Sequence, residues 1–197
     1  MLRIDLDILQ QWIPMGGRVL DLGCGDGTLM CSLADNRQVT GYGLEIDPEQ
    51  ITTCISRGVN VIETDLNQGL DNFQNDSFDT VIMTYSLQVM RRPDQVIDEM
   101  LRVGKECIVT FPNFGNIRTR SYLMLRGRMP VTKQLSHQWY DTPNIHFCTV
   151  HDFDSLCAEK AIRILHREVV TQRFPDKQLK GLLPNLFGET AIYHLAK

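Results

Sequence analysis

Three acids stand where apolar runs end: Asp21 in RVLDLGCGDGTL, Glu45 in VTGYGLEI and Asp65 in VNVIETD. The first run leads straight into glycines on alternate positions, Gly23, Gly25 and Gly27. Backbone that bare lets a ligand touch main-chain N–H groups, and a helix starting at Gly27 would offer its positive end to an anionic group. The acids ask for a different charge. No Lys or Arg lies between Val19 and Asn36, so carboxylates gathered there suit a ligand that also carries a cation. A carboxylate closing the second run can accept from both hydroxyls of a ribose. One closing the third can accept from an adenine amino group. Taken singly, each acid reads equally well as a helix cap or a solvated loop residue. Two familiar phosphate sites do not fit. A P-loop needs a lysine after its glycines, and a dinucleotide fingerprint needs a third glycine where Thr28 stands.

The elements that must position these residues alternate. Apolar runs at 18–23, 39–46, 59–65, 78–86 and 106–113 predict strands. Helices are predicted over 27–36, from the Asp47-Pro48 cap to Gly58, and from Pro93 to Gly104. Strand and helix in alternation imply an α/β fold, a parallel sheet with helices on both faces. The segments 162–170 and 189–197 predict a closing edge hairpin, with Pro175, Gly181 and Pro184 in its loop and the last strand antiparallel. Ligands of such sheets sit beyond the carboxyl ends of the strands, where strand order reverses. The glycine loop falls there.

Length and charge narrow the classes. The 197 residues fit one domain spanning 1–197. Lys plus Arg is 20 against 24 Asp plus Glu, a net charge of −4, which argues against binding to a nucleic-acid backbone. No apolar run approaches the roughly 20 residues that span a bilayer. The opening MLRIDLDILQQWI carries Asp5 and Asp7 inside its apolar pattern, unlike a signal peptide. Six cysteines without a CxxC pair read as reduced thiols of a cytoplasmic protein.

The motifs VLDLGCGDGTL, GLEID, ETDLNQGL and FDTVIMTYSLQ together resemble the successive binding motifs of class I S-adenosylmethionine (SAM) dependent methyltransferases. That resemblance implies a single Rossmann-like domain, its seven-stranded sheet mostly parallel with the last strand antiparallel. It also implies a cofactor, SAM or its demethylated product S-adenosylhomocysteine. The backbone at Gly23, Cys24 and Gly25 would take the methionine part, with Asp21 near its ammonium. Glu45 would hold the ribose with Ile46 beside it, and Asp65 with Leu66 the adenine. Tyr85 to Gln88 would line the methyl side. The second half, through LRGRMPVTKQL, QWYDTPNIHFCTVHDF and LLPNLFGETAIY, resembles the MetW family of methionine-biosynthesis proteins. This narrower resemblance implies a protein partner, homoserine O-acyltransferase, and no settled methyl acceptor.

Methyl transfer needs a positioned nucleophile and a group to take its proton. The stretch MTYSLQVM lacks the Asp/Asn-Pro-Pro-aromatic run of nucleobase amine methylation. Small-molecule members of the superfamily often carry a histidine after SLQ; here Val89 and Met90 stand there. His137, His146 or Tyr140, in a lid over the cofactor, are the remaining candidates for catalysis. Cys24 reads as a packing residue with no histidine near it in sequence. Whether the chain is an enzyme stays open at this level, with a methyltransferase of an unidentified small molecule as the alternative to an acyltransferase partner.

From Asn113 to His151 the charge balance inverts. Arg118, Arg120, Arg126, Arg128 and Lys133 occur with no acid before Asp141, and Trp139 and Tyr140 follow. Such a segment reads as a solvated helix face, as a docking surface, since arginines and aromatics anchor interfaces, or as a small nucleic-acid patch without an aromatic platform pattern. His137, His146, Cys148 and His151 match no zinc spacing, and no metal site is expected.

Overall fold

The computed structural model describes residues 4–132, 137–171 and 176–197. Lys133 and Pro175 lie outside the described residues. Seven strands form one sheet: β1 (Arg18–Leu22), β2 (Thr40–Glu45), β3 (Val61–Glu63), β4 (Phe78–Thr84), β5 (Gly104–Pro112), β6 (Arg163–Val170) and β7 (Thr190–Ala196). Their order is β3-β2-β1-β4-β5-β7-β6. The first five run parallel, and β7 is antiparallel to both β5 and β6. The closing hairpin expected from the sequence is present, with the last strand inserted between its neighbours so that β6 forms the edge. Burial explains the choice. Every residue of β7 is buried, whereas β6 exposes Arg163, His166 and Arg167, charged or polar residues that blunt an edge.

Helices α1 (Ile4–Gln10), α2 (Thr28–Arg37), α3 (Pro48–Ser56), α4 (Pro93–Val103), α5 (Ile117–Arg126) and α6 (Val150–Glu159) surround the sheet, with short turns α7 (Asp176–Leu179) and α8 (Pro184–Phe187). Side chains alternate across each strand and divide the core in two. Val19, Ile82, Ile108 and Ile192 meet Leu6, Leu9 and Ile13 near α1 and Leu29, Met30 and Leu33 of α2. Leu20, Leu22, Val81, Met83 and Val109 face the other way, onto Ile97, Met100 and Leu101 of α4 and Phe153 of α6. Each of these fully buried side chains contributes about 1.5–3 kcal/mol. Truncating Ile97 to alanine would cost about 2–5 kcal/mol through the cavity it leaves.

Strand order reverses between β1 and β4, so their carboxyl ends diverge and open a crevice. Beyond β5 the chain is fixed by two asparagines. Asn113 donates Nδ2 to the carbonyls of Asn185 and Gly188, each at 2.9 Å, and Asn116 caps α5 by accepting from Arg118 N–H. Among the described residues no helix is long and apolar enough to cross a membrane.

Candidate functional site

The glycine loop leaves β1 in an unusual backbone path. Gly23, Gly25 and Gly27 all adopt positive φ, at 71°, 54° and 76°. At Gly23 the positive φ strains any side chain, and a Cβ would stand 2.6 Å from Ser86 Oγ. A Cβ on Gly25 would meet nothing within 4 Å, so that residue opens onto free space. Arg57, on the C-terminal cap of α3, pairs with Asp26 at 2.7 Å and donates to Thr28 Oγ1 at 2.7 Å. This clamp ties the loop to α3. No local sequence signal marks it, because Arg57 lies some thirty residues downstream.

Glu45 ends β2 beside the loop. Its Oε2 accepts from Gly25 N–H at 2.9 Å, and Oε1 accepts from Ile46 N–H at 2.8 Å and Asp47 N–H at 3.1 Å. Three of about four acceptor positions on the carboxylate are therefore filled by backbone. Asp21 lies buried behind the loop, and its Oδ1 has no hydrogen-bond partner among the described residues. Burial, reinforced by the nearby charge of Glu45, pushes its carboxyl up to about 7. A buried acid without a counter-charge is the arrangement that a ligand cation would relieve. Cys24 turns under the loop, its sulfur 3.8 Å from that of Cys54, while Cys54 Sγ donates to Gly25 O at 3.1 Å. Burial and the adjacent Asp21 raise the Cys24 thiol, which makes it a poor nucleophile and a good filler.

Asp65 closes β3 and leads into a 3-10 turn at Leu66–Gln68, where its Oδ1 accepts from Asn67 N–H and Nδ2, both at 3.0 Å. Those bonds and the charge of Arg91 hold its carboxyl below the usual range. The capping role and a ligand role are compatible, since both bonds to Asn67 use Oδ1. A cavity of about 260 Å³ joins these parts. Gly23, Glu45, Ile46, Asp65 and Leu66 line it, together with Leu44, Thr64, Asn67, Ser86, Val89 and Met90. Of the expected cofactor set, Asp21, Cys24, Gly25, Tyr85 and Gln88 stand outside that lining. The sequence points to Val89 and Met90 only as the place of a missing histidine. Thr64 and Asn67 carry no signal beyond adjacency to Asp65.

The turn after β4 combines an unusual backbone conformation with a strap that crosses it. Tyr85 has φ 56°, unusual for an aromatic residue, and its hydroxyl pairs with Thr190 Oγ1 on β7, away from the cavity. Gln88 is buried, donates Nε2 to Tyr85 O at 2.7 Å, and leaves Oε1 unpartnered among the described residues. Its backbone carbonyl accepts from Ile145 N–H at 2.9 Å and His146 N–H at 3.0 Å. Phe114 N–H bonds Cys148 O, and the Phe114 and Phe147 rings lie 4.9 Å apart. The segment 144–148 is thus strapped across the ends of β4 and β5. His137 lines a small pocket of about 20 Å³ with Trp139 and Phe147, and Tyr140 is 71% exposed. Neither lines the larger cavity. No group of three or more metal-ligating side chains comes together among the described residues.

Comparison with known proteins assigns this architecture. The family model described as methionine biosynthesis protein MetW matches residues 3–195. The chain belongs to the MetW family. A bifunctional methionine biosynthesis protein MetXA/MetW from Rhodopirellula baltica is 34% identical over 206 residues, which cover 97% of this chain and 32% of that protein. The chain therefore spans about a third of that relative's length. An S-adenosylmethionine dependent methyltransferase from Mesorhizobium loti superposes with a TM-score of 0.69 at 16% identity, over 97% of this chain and 96% of its own. The [4+2]-cyclase SpnF superposes with a TM-score of 0.68 at 20% identity, covering 98% and 80%. These likenesses establish the class I methyltransferase fold. A fold shared with a cyclase leaves the chemistry to be argued from the site.

Proposed function

We propose that this methionine-biosynthesis protein binds SAM or S-adenosylhomocysteine in the 260 Å³ cavity and serves as a partner of homoserine O-acyltransferase. Gly23, Cys24 and Gly25 take the methionine portion by backbone, and Asp21 receives its ammonium. Glu45 and Ile46 hold the ribose, Asp65 and Leu66 the adenine, and Tyr85 and Gln88 bound the sulfonium side. Bound SAM carries a cationic sulfonium and an ammonium, which suits the uncompensated Asp21–Glu45 pair. The six free cysteines fit a reducing, cytoplasmic setting.

One observation carries the partner reading. Residues 122–129, the last turns of α5 and the three residues beyond it, are exposed at every position, including Tyr122, Met124, Leu125 and Met129. A helix end with no buried face gains no stability from packing within its own chain. Arg118, Arg120, Arg126 and Arg128 interleave with it, and Trp139 and Tyr140 stand nearby in sequence, 75% and 71% exposed. Basic, aromatic and apolar groups combined this way match the anchors of a protein interface. The name of the Rhodopirellula relative, MetXA/MetW, is compatible with a partner of the acyltransferase type. Co-purification with homoserine O-acyltransferase, and calorimetric titration of SAM with and without it, test the reading. A second reading, a methyltransferase acting on a small molecule, is favoured by the unpartnered Gln88 Oε1 at the sulfonium side. It requires the strap at 144–148 to lift and His137 or Tyr140 to approach.

A further inference from the structure

A second cavity lies behind the first. It measures about 310 Å³ and opens between the Leu66–Leu70 segment and the N-terminal half of α4. Leu22, Leu66, Leu70 and Val96 give it an apolar floor continuous with the core. Its polar lining residues are Asn67, Gln68, Gln95, Glu99, Arg91 and Arg92.

Charge decides what such a cavity would hold. Arg92 is matched by Asp94 at 2.8 Å. The one lining carboxylate, Glu99, is matched by Arg102, whose Nε and Nη2 each donate to it at 2.8 Å. Arg91 alone makes no side-chain hydrogen bond or ion pair among the described residues, although its charge reaches Asp65. The polar lining therefore carries one positive charge without a contact partner above a hydrocarbon floor. We propose that this cavity is a second ligand site, for a small organic anion that joins a carboxylate to a short hydrocarbon chain. The chain lies on Leu66, Leu70 and Val96, and Arg91 takes the carboxylate.

The wall between the two cavities is thin. Leu66 and Asn67 line both. Asn67 donates to Asp65 on one side, and its Oδ1 accepts from Arg91 N–H at 3.0 Å on the other. Arg91 O also lies 3.4 Å from His146 Nε2 on the strap. An anion that fixes Arg91 therefore acts on the residue that orients Asp65. This coupling rests on the proposed SAM site; the anion site does not.

Hexanoate serves as the probe, titrated into the full chain and followed by ligand-observed NMR, with acetate and hexylammonium as controls. Saturable hexanoate binding is expected, with both controls weaker. Arg91→Ala should weaken it by about tenfold, the loss of one charge-assisted contact. Val96→Trp should abolish it by filling the floor, and Arg163→Ala on the exposed edge strand β6 should change nothing. Arg91 is exposed, so its replacement spares the fold and keeps the test decisive should the tryptophan variant unfold. Hexanoate binding no stronger than that of hexylammonium, or unchanged in Arg91→Ala, would overturn the site. Saturating hexanoate should also shift the SAM dissociation constant, and SAM should shift that of hexanoate by the same factor. If SAM binds and the two constants are independent, the coupling is wrong while the anion site stands on its own titration.

Discussion

Gly25 donates its backbone N–H to Glu45 Oε2 at 2.9 Å, so the glycine loop and the end of β2 are joined directly. The same carboxylate gathers Ile46 and Asp47 N–H groups, and so organises the cleft as well as facing it. Replacing Glu45 by alanine therefore has two consequences. SAM binding should weaken by about 1–3 kcal/mol, the scale of charge-assisted hydrogen bonds lost from one carboxylate. Three backbone donors lose their acceptor as well, which should lower unfolding free energy by about 1–3 kcal/mol. Calorimetric titration and urea denaturation separate the two effects. Unchanged SAM affinity in Glu45→Ala would remove the ribose assignment.

Asp21 gives the cleft a pH dependence of defined sign. Its pKa in the folded chain is raised from 3.8 to about 7 by burial and by Glu45. Between those values the native state holds a proton that the unfolded chain has released, so this group's contribution to stability falls as pH rises from about 4 to about 7. Asp21→Asn should abolish that slope, and the variant should gain stability relative to the parent at pH 8 compared with pH 5. A cationic ligand reverses the preference, because it favours the ionised carboxylate. SAM affinity should rise between pH 6 and 8, with proton release visible in buffers of different ionisation enthalpy. A flat profile over that range would dissociate Asp21 from the ligand's ammonium.

The parallel core was legible because its signals are local. Val19, Leu20 and Leu22 form a run buried on both sides, and Pro48 and Pro93 mark helix starts that the structure keeps. The acids at strand ends were legible for the same reason. What could not be read was decided by residues far apart in sequence. The insertion of β7 between β5 and β6 depends on non-local pairing and burial. The pairing of the Tyr85 hydroxyl with Thr190, more than a hundred residues later, is equally non-local. The strap across Gln88 is held by backbone N–H groups of Ile145 and His146, which no side-chain pattern reveals.

That strap bears on chemistry. Among the described residues no histidine lines the 260 Å³ cavity, its two carboxylates, Glu45 and Asp65, already accept backbone hydrogen bonds, and the segment 144–148 is hydrogen-bonded to the carbonyl of Gln88. Incubation with SAM and common small acceptors should therefore give no rapid production of S-adenosylhomocysteine. Steady production on adding cell metabolites, abolished by Gly25→Arg and reduced by His137→Ala or Tyr140→Phe, would favour the methyltransferase reading.

The exposed end of α5 makes the sharpest demand on a partner. If homoserine O-acyltransferase docks there, Trp139→Ala should weaken the complex by about 2 kcal/mol or more, the scale of an interface hot spot. Met124→Ala and Leu125→Ala should weaken it less and leave the fold intact, since both side chains are more than three-quarters exposed. Reversing Arg126 and Arg128 to glutamate should chiefly slow association and alter its salt dependence, because rim charges steer encounter more than they hold the final complex. Glu45→Ala should leave the complex unchanged when SAM is absent. If SAM tightens the complex, the partner must tighten SAM by the same factor, and Glu45→Ala must then remove both effects together. Surface-based association kinetics and acyltransferase assays read each of these directly. An acyltransferase whose rate and stability ignore this chain, and which does not co-purify with it, would leave the basic, aromatic face to another partner.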